Sequence, residues 1–319
     1  MIQAVITRLQ AIARDIVLIE LQAADQQSMP GASPGSHIDL HLPNGLIRQY
    51  SLTNAEGAAE QANYQIAVAR DANSRGGSTW IHDKLRTGTS LTISAPRNLF
   101  ALDKQVTGKF LFIGAGIGIT PIYAMVKAAQ QHGLDWQLVA CARSASRMAF
   151  QEELYDLSPQ RVDFHFDMDQ GTTLNLQALL DESAWDAVYA CGPAGLLDAI
   201  EQTTRHWPAG SVRMERFKAQ AQDNSTHTAF QLVLTKSQQT VEVGANESPL
   251  EALERIGIDH PYACREGLCG TCEVRVLEGQ PDHKDNVLNE QERTAGQRFI
   301  PCISRCNGPQ LVIELLEPP

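Results

Sequence analysis

The pattern of apolar and polar positions changes twice along the chain. In roughly the first hundred residues, short stretches with partial two-residue alternation lie between turns rich in glycine, proline, asparagine and serine, as in residues 36–42, 64–70 and 90–96. Alternation of this kind favours an antiparallel β-barrel. From about residue 108, apolar strand-like stretches alternate with helical ones, which is typical of a doubly wound parallel α/β sheet.

The last third of the chain returns to short strands around one helix, and a polar stretch without periodicity, residues 218–229, precedes it. Such a stretch is typical of a linker. The sequence therefore predicts domains at residues 1–103, 104–220 and 229–319, with a linker at 221–228. Within the second domain, one helix is predicted over residues 148–157.

Cysteine is unevenly distributed, since five of the 7 cysteines lie in the last third of the chain. Cys264, Cys269, Cys272 and Cys302, the last of them separated from Cys272 by 29 residues, have the C-x4-C-x2-C…C spacing of plant-type [2Fe–2S] ferredoxins. Glycines in this loop let backbone N–H groups approach the sulfurs. The spacing predicts a [2Fe–2S] cluster. A zinc site is the alternative, although zinc ribbons usually pair C-x2-C units. Cys306 is predicted to be a spare thiol.

Two short motifs in the first domain offer groups that suit a flavin. At the end of a predicted strand, Arg48 offers a forked cation for phosphate, Tyr50 an aromatic face and Ser51 a hydroxyl. Residues 76–78, Gly-Gly-Ser, precede a helical stretch whose N-terminal amides suit an anion. Each motif also fits an ordinary strand end or turn, so the residues alone leave flavin binding open.

The second domain has a glycine-rich junction between a strand and a helix, GAGIGITP at residues 114–121. Its glycines let the backbone approach a pyrophosphate, and the helix N-terminus supplies amides and a positive dipole end. Cys191, followed by Gly-Pro, occupies another such junction. Both junctions are expected at the carboxyl edge of the sheet, where open α/β sheets bind ligands. Cys191 is equally well explained as a small buried residue.

The loop after the second strand of this sheet bears on the choice of nucleotide. Dinucleotide-binding folds have an acid about 20 residues beyond the glycines, which binds the ribose 2′-hydroxyl of NAD. This chain instead has Arg143, Ser144 and Arg147 in that region, which favours the 2′-phosphate of NADP. Asp167, after the next predicted strand, is an alternative acid.

Composition and charge exclude other classes of protein. The chain has 319 residues, a net charge of −11 and 43% hydrophobic residues. A chain this acidic is not expected to bind nucleic acid through a phosphate-neutralising surface. It has no apolar stretch near the ~18 residues of a membrane span, and its first residues lack the pattern of a signal peptide. On this ground we expect a cytoplasmic protein.

Together, these motifs resemble the phthalate dioxygenase reductase family, which includes the vanillate O-demethylase reductases and relatives that serve Rieske oxygenases. The resemblance extends over essentially the whole chain and depends on RQYS, SRGGS, APRNLF, GAGIGITP, CGP, MERF, CREGLCGTC and GQPDHKDNVL. It implies a flavin-binding antiparallel β-barrel, an NAD-binding α/β domain with a doubly wound parallel sheet, and a C-terminal α+β plant-type ferredoxin domain of the β-grasp fold. Ala115 departs from the family, where a second glycine is frequent, and the change is expected to be tolerated.

The resemblance also implies site residues. Six of them would hold FMN: Arg48, Tyr50, Ser51, Gly76, Gly77 and Ser78. A seventh, Phe217, would lie against the flavin ring. Four would line the dinucleotide site: Gly114, Gly116, Gly118 and Thr120. Cys191 would lie near the nicotinamide. FAD is the alternative to FMN, but the short connection at residues 97–108 leaves little chain to hold an adenine half. The family usually uses NADH and several members carry arginine at position 143, so NADH is favoured over NADPH.

The three sites imply an electron chain. NADH gives up two electrons as a hydride, a [2Fe–2S] cluster accepts one at a time, and a flavin converts between the two, so no side chain is nominated as acid or base. We expect the NADH-dependent reductase of a two-component Rieske oxygenase that acts on an aromatic acid of the phthalate, vanillate or phenoxybenzoate kind. The alternatives are the reductase of a carnitine-type or diiron monooxygenase and a non-enzymatic redox sensor, for which no output domain remains.

Overall fold

The computed structural model describes residues 1–72, 74–103, 107–181, 185–218 and 228–315. The chain divides into two compact units, Met1–Arg216 and Phe217–Pro319. The first unit contains two large sheets and the second contains a third. The domain boundaries given by the sequence pattern remain predictions, and the linker at 221–228 lies, apart from residue 228, outside the described residues. No helix in the described ranges is long and apolar enough to cross a membrane.

The first sheet is antiparallel, with strand order β5-β4-β8-β1-β2-β7 and β9 beside β4. A bridge between Leu52, just after β5, and Ile66 in β7 joins the two edges, as closure of a barrel requires. Alternate side chains of β4, Ile38 and Leu40, lie in its core. The elements are β1 (Ile2–Ala13), β2 (Ile16–Ala23), β3 (Met29–Pro30), β4 (Ser36–His41), β5 (Ile47–Ser51), β6 (Glu60–Gln61), β7 (Tyr64–Ala69), α1 (Gly77–Lys84), β8 (Ser90–Ile93) and β9 (Arg97–Asn98).

The second sheet is parallel, with strand order β12-β11-β10-β13-β14. Successive residues of β10 are buried in opposite cores, Phe110 and Phe112 on one face and Leu111 and Ile113 on the other, which explains the continuous apolar stretch. The elements are β10 (Lys109–Ala115), α2 (Ile119–Gln131), β11 (Asp135–Ala142), α3 (Gln151–Leu157), β12 (Val162–Phe166), α4 (Asp167–Gln170), α5 (Leu176–Asp181), β13 (Ala187–Cys191), α6 (Ala194–Thr204) and β14 (Val212–Glu215).

Helix α3 is shorter than the sequence pattern predicts. It begins at Gln151 rather than at residue 148, because Phe150 has a φ of 61°, which is outside the helical region. The ring of Phe150 stacks on that of Tyr123 with 4.3 Å between their centroids. Packing of this aromatic pair therefore accompanies the departure from helical geometry before Gln151.

The second unit has a mixed sheet with strand order β16-β15-β21-β17-β19, in which β15 and β21 are parallel. Helix α7 begins with a capping box formed by Ser248 and Glu251, and Pro249 occupies its first turn. The elements are β15 (Phe230–Leu234), β16 (Gln239–Val243), α7 (Pro249–Arg255), β17 (Val274–Glu278), β18 (Pro281–Asp282), α8 (Glu290–Ala295), β19 (Arg298–Phe299), β20 (Arg305–Cys306) and β21 (Gln310–Glu314).

A buried tyrosine joins the segment after the barrel to the parallel sheet. The hydroxyl oxygen of Tyr189 in β13 accepts a hydrogen bond from the backbone N–H of Asp103 at 2.8 Å, and it also contacts the guanidinium of Arg213. Arg213 in turn donates to the Asp103 carboxylate at 2.9 Å. This network fixes the end of the connection between the two sheets of the first unit.

We expect Tyr189→Phe to destabilise the first unit by about 1–2 kcal/mol, because it leaves a backbone N–H and a guanidinium without their shared acceptor. Urea unfolding followed by circular dichroism measures this change. Tyr155→Phe is the control, since Tyr155 is exposed and a surface change of this kind shifts stability by less than about 0.5 kcal/mol. Equal stabilities of the two variants would contradict the prediction.

Candidate functional site

The two glycine-containing junctions predicted for the nucleotide site meet at the carboxyl edge of the parallel sheet. Strands β10 and β13 are neighbours, paired from Phe110–Ala187 to Gly114–Cys191. Between them the strand order reverses direction, and such a switch point opens a ligand crevice in this type of fold. A Cβ atom on Gly118 would lie 2.3 Å from the carbonyl oxygen of Cys191. The absence of a side chain at residue 118 therefore lets the junction after β10 pack against the junction after β13.

The other residues of the first junction shape the same turn. Gly116 has a φ of 57° and opens a single 3₁₀ turn that leads into α2, and Gly114 packs against Ile119. Thr120 is buried and its hydroxyl donates to the carbonyl of Ile117 at 2.9 Å, so its side chain holds the turn together. Ala115 packs against Gly192, where a Cβ would be 2.8 Å from that of Ala115.

Beside this crevice lies a buried carboxyl group that the sequence analysis did not single out. Glu215, in the MERF motif, is in register with Cys191 on the neighbouring strand. Its Oε2 atom is shielded from solvent and has no hydrogen-bond partner within the described residues. Burial raises the pKa of Glu215 to about 8. Burial, together with the nearby Glu215 carboxyl, raises the pKa of the Cys191 thiol well above its usual range, so burial favours the neutral form of both groups.

The residues considered for contact with the nucleotide's ribose also lie at the carboxyl edge of the parallel sheet, after strands β11 and β12. Arg143 directly follows β11 and is exposed. Asp167 begins α4, directly after β12, and the backbone N–H of Met168 donates to the carbonyl of Arg143 at 3.0 Å. The structure thus brings the alternative acid and the first arginine to neighbouring strand ends.

In the barrel, the two motifs predicted to hold a flavin are in contact. A Cβ atom on Gly77 would lie 2.6 Å from Nε of Arg48. The guanidinium of Arg48 donates to the carbonyl of Ile47 at 2.8 Å and to that of Arg75 at 3.0 Å. The arginine from the first motif is therefore fixed across the backbone of the second.

The helix that follows the second motif begins as the sequence predicts. Gly76 precedes α1 with a φ of 88°, a conformation that favours glycine. The hydroxyl of Ser78 accepts a hydrogen bond from the backbone N–H of Asp71 at 3.1 Å. Gly77 is the first residue of α1 and is in contact with Arg48, so the first amides of the helix and the Arg48 side chain lie together.

Tyr50 and Ser51 are the last two residues of β5. Ser51 is buried and its hydroxyl has no hydrogen-bond partner among the described residues, which is unusual for a buried polar group. Tyr50 packs against the barrel core, and burial raises the pKa of its phenol. The unpaired Ser51 hydroxyl fits a hydrogen bond to the polar edge of a bound ring system.

A histidine that the sequence analysis missed lies next to Ser51. His37 in β4 is opposite Ser51 in β5 and opposite Arg97 in β9. Burial and the charge of Arg97, which is paired with Asp39 at 2.7 Å, lower the pKa of His37 to about 4. The only sequence signal was the alternation of His37 and Asp39 with the apolar residues of the same strand.

Phe217 lies two residues beyond the end of β14 and is 38% exposed. It belongs to the second compact unit, whereas the flavin residues belong to the first. Its role against the flavin ring therefore remains a prediction.

The four predicted cluster ligands converge in the second unit. The thiol of Cys264 contacts those of Cys269 and Cys302, and Cys302 also contacts Cys272. These contacts connect all four thiols, which are the donor set that a [2Fe–2S] cluster requires. The arrangement therefore fits the cluster that the spacing predicts.

The backbone of the cysteine loop is shaped around the sulfurs. The N–H groups of Glu266 and Leu268 donate to the sulfur of Cys264 at 3.3 and 3.4 Å, and that of Thr271 donates to the sulfur of Cys269 at 3.4 Å. Hydrogen bonds to the sulfurs are among the factors that set a cluster's reduction potential. Contact with Cys264 and burial raise the pKa of Cys269, so metal binding has to displace thiol protons.

Cys306 lies apart from this set. It is buried in the main core of the second unit, whereas Cys272 and Cys302 belong to a separate cluster of buried residues. Its sulfur lies 3.3 Å from the carbonyl oxygen of Gln310. Its place in the core agrees with a spare thiol.

A buried aspartate, also missed from sequence, supports the cysteine loop. Asp285 accepts hydrogen bonds from the hydroxyl of Ser304 at 3.1 Å and from the backbone N–H of Leu288 at 2.9 Å. The next residue, Asn286, donates its backbone N–H to the carbonyl of Gly267 at 2.9 Å. The segment thus connects the loop that holds three cysteines with the segment that holds Cys302. Its motif, GQPDHKDNVL, was visible in the sequence, but its role was not.

Comparison with known proteins identifies the class of both nucleotide and cluster sites. Residues 112–202 match the oxidoreductase NAD-binding domain, and residues 232–307 match the 2Fe-2S iron-sulfur cluster binding domain. Each range contains the corresponding site described above. The chain is therefore an oxidoreductase that combines a NAD-binding domain with a ferredoxin-type iron–sulfur domain.

Three similar proteins extend over the whole chain. It is 50% identical to the toluene-4-sulfonate monooxygenase system reductase subunit of Comamonas testosteroni, over 97% of this chain and 98% of that protein. It is 39% identical to a vanillate O-demethylase oxidoreductase from a Pseudomonas strain, over 99% and 100%. The chain also matches the structure of phthalate dioxygenase reductase with a TM-score of 0.70 and 34% identity, over 98% of this chain and 97% of that one. That structure is described as modular, for electron transfer from pyridine nucleotides to [2Fe–2S].

The chain belongs to this family of reductase components of oxygenase systems. The family resemblance stated from the sequence motifs is confirmed, and so is the fold class of barrel, doubly wound sheet and ferredoxin domain. The NAD and [2Fe–2S] sites are likewise confirmed as classes of site.

We expect the stability of the protein to fall as the pH rises from about 5 to about 8, in part because of Glu215. Between its ordinary pKa of 4.5 and its folded value of about 8, the carboxyl is ionised when unfolded and neutral when folded. Glu215→Gln should remove a pH-dependent change on the order of 2–4 kcal/mol. Urea unfolding at several pH values measures it.

Glu201→Gln is the control for this prediction. Glu201 lies in the neighbouring helix α6, is largely exposed, and pairs with Arg216 at 3.1 Å. It should keep the pH dependence of the unsubstituted protein. A Glu215→Gln variant with the same pH dependence as the Glu201→Gln variant would show that Glu215 ionises normally.

Proposed function

We propose that this protein is the reductase component of a two-component Rieske-type oxygenase and passes electrons from NADH through FMN and a [2Fe–2S] cluster to the terminal oxygenase. One observation carries the proposal: a crevice at the switch point of a NAD-binding sheet and four converging thiols occur in one chain. A hydride donor and a one-electron carrier need a converter between them, and the barrel offers residues that fit one.

The flavin is assigned to the barrel on the basis of the donor groups there. Arg48 and the first amides of α1, at Gly77 and Ser78, would bind its phosphate, and the unpaired Ser51 hydroxyl would bind its ring edge. Tyr50 would pack against the ring, and Gly76 would shape the turn that precedes α1. When bound, a flavin supplies the conversion of one hydride into two single electrons.

The roles of the protein residues are to bind and to orient. Gly114, Gly116, Gly118 and Thr120 would shape the pyrophosphate site at the start of α2, and Cys191 would pack beside the nicotinamide as a neutral thiol. Burial favours the neutral form of Glu215, which would limit the charge beside this crevice. Oxidation of one NADH releases NAD⁺, a proton and two electrons, and Cys264, Cys269, Cys272 and Cys302 would hold the cluster that delivers these electrons singly.

The partner and the location are proposed on chemical grounds. Family membership supports an oxygenase as the partner, and we propose a Rieske oxygenase acting on an aromatic acid of the phthalate, vanillate or phenoxybenzoate kind. Similar proteins whose names specify toluene-4-sulfonate and vanillate support this class of substrate. We place the protein in the cytoplasm, where thiols stay reduced and available for iron.

The decisive experiment is an anaerobic titration of the purified protein with NADH, followed by visible absorbance, with NADPH in parallel. We expect stoichiometric NADH to bleach both the flavin and the iron–sulfur bands, and cytochrome c to be reduced on turnover. Bleaching by NADPH alone would overturn NADH as the donor. A fully loaded protein that neither nucleotide bleaches would overturn the reductase function and favour the redox sensor.

We expect Gly77→Ala to weaken flavin binding about tenfold, equivalent to ~1.4 kcal/mol. The added Cβ would displace Arg48 from the carbonyl of Arg75. The flavin-to-protein ratio after gel filtration and fluorescence titration of the apoprotein measure the effect, and iron per chain should stay constant. Gly308→Ala, at a glycine with open space around its Cβ position, is the control. Full flavin content in the Gly77→Ala protein would contradict the assigned site.

A further inference from the structure

The turn between β1 and β2 lies against the loop that follows β11 in the parallel sheet. The backbone N–H of Arg14 donates to the carbonyl of Ser146 at 2.7 Å. The carboxylate of Asp15 forms an ion pair with Arg147 at 3.0 Å. The carbonyl of Asp15 accepts the backbone N–H of Arg70 at 2.8 Å. The barrel therefore holds this loop of the nucleotide-binding sheet through a fixed turn.

In dinucleotide-binding folds, the loop that follows the second strand contacts the ribose of the nucleotide. Here that loop follows β11. After the second strand of such a sheet, an acid binds the 2′-hydroxyl of NAD, or an arginine accommodates the 2′-phosphate of NADP. Arg143 and Arg147 lie in this loop, and Asp167 follows the neighbouring strand β12. By sequence alone, two arginines would favour NADP.

The ion pair changes this expectation for one of the two arginines. A 2′-phosphate carries a double charge and needs cations with donors available to it. The guanidinium of Arg147 already faces a carboxylate, which cancels much of its charge and would itself repel a phosphate. Asp15 also lies 3.9 Å from Arg14, so it restrains two cations at this edge.

We propose that Asp15, a barrel residue, is a specificity-determining residue for the pyridine nucleotide: by holding Arg147, it disfavours the 2′-phosphate of NADPH and so favours NADH. The inference rests on the proposed function, in which a pyridine nucleotide is the electron donor, and it assigns the residue that selects between the two donors.

The test variant is Asp15→Asn, which removes the charge and keeps the size of the side chain. Asp15 has a φ of 63°, a conformation that asparagine adopts readily, so the turn should be retained. Asp15→Gly, which suits the same φ, is a second variant. The probe is 2′,5′-ADP, which carries the 2′-phosphate but no nicotinamide, with 5′-AMP in parallel, measured by calorimetry on the full-length holoprotein.

We expect Asp15→Asn to bind 2′,5′-ADP about tenfold more tightly, equivalent to ~1.4 kcal/mol, with little change for 5′-AMP. The ratio of kcat/KM for NADPH over NADH should rise by a similar factor. Adding Arg147→Ala to Asp15→Asn should abolish the gain, because the released cation is then absent.

Asp135→Asn is the matched control. Asp135 pairs with Arg161 at 3.2 Å at the opposite, amino end of β11, so this change alters net charge equally, away from the ribose. Unchanged 2′,5′-ADP affinity in both Asp15 variants, or an equal gain in Asp135→Asn, would overturn the proposal. Binding of 2′,5′-ADP requires no electron transfer, so it tests Asp15 even if NADH fails to reduce the protein, an outcome that would overturn the proposed function instead.

Discussion

The nucleotide crevice depends on a backbone contact that only glycine permits. With any side chain at residue 118, a Cβ atom would lie 2.3 Å from the carbonyl oxygen of Cys191, and the junctions after β10 and β13 would have to separate. These junctions form the two walls of the crevice at the switch point of the sheet. The same contact therefore determines how the first amides of α2, where a pyrophosphate is stabilised, are placed relative to Cys191 and Glu215.

The two other sites use the same device. Gly77 in the barrel lets the side chain of Arg48 cross its backbone, and Gly267 in the cysteine loop, with a φ of 66°, packs against Asp285 and Ile303. In each case the residue in contact lies far away in the sequence. Since the cofactors perform the chemistry, the protein's contribution is position, and close contacts at glycine provide it without side chains that would occupy the space a cofactor needs.

What the sequence could predict follows from the range of the interactions involved. The spacing of Cys264, Cys269 and Cys272 is local, so it predicts the cluster directly, and the alternating strands and helices predict the sheet. The buried carboxyl of Glu215 and the unpaired hydroxyl of Ser51 could not be predicted, because burial depends on neighbouring strands. Helix α3 began later than predicted for a similar reason, the packing of Phe150 on a distant ring.

The choice of nucleotide illustrates the limit of reading a motif alone. Two arginines after the second strand favour NADP by spacing, whereas the family resemblance implies NADH. The structure shows Asp15, more than a hundred residues earlier in the chain, 3.0 Å from Arg147. Arg147 is therefore a weaker indication of a 2′-phosphate site than its position in the sequence suggests. The charge that a phosphate would meet depends on the ion pair as a whole and not on the arginine alone. A cation predicted to bind a ligand therefore has to be examined for a carboxylate that already occupies it before specificity is assigned.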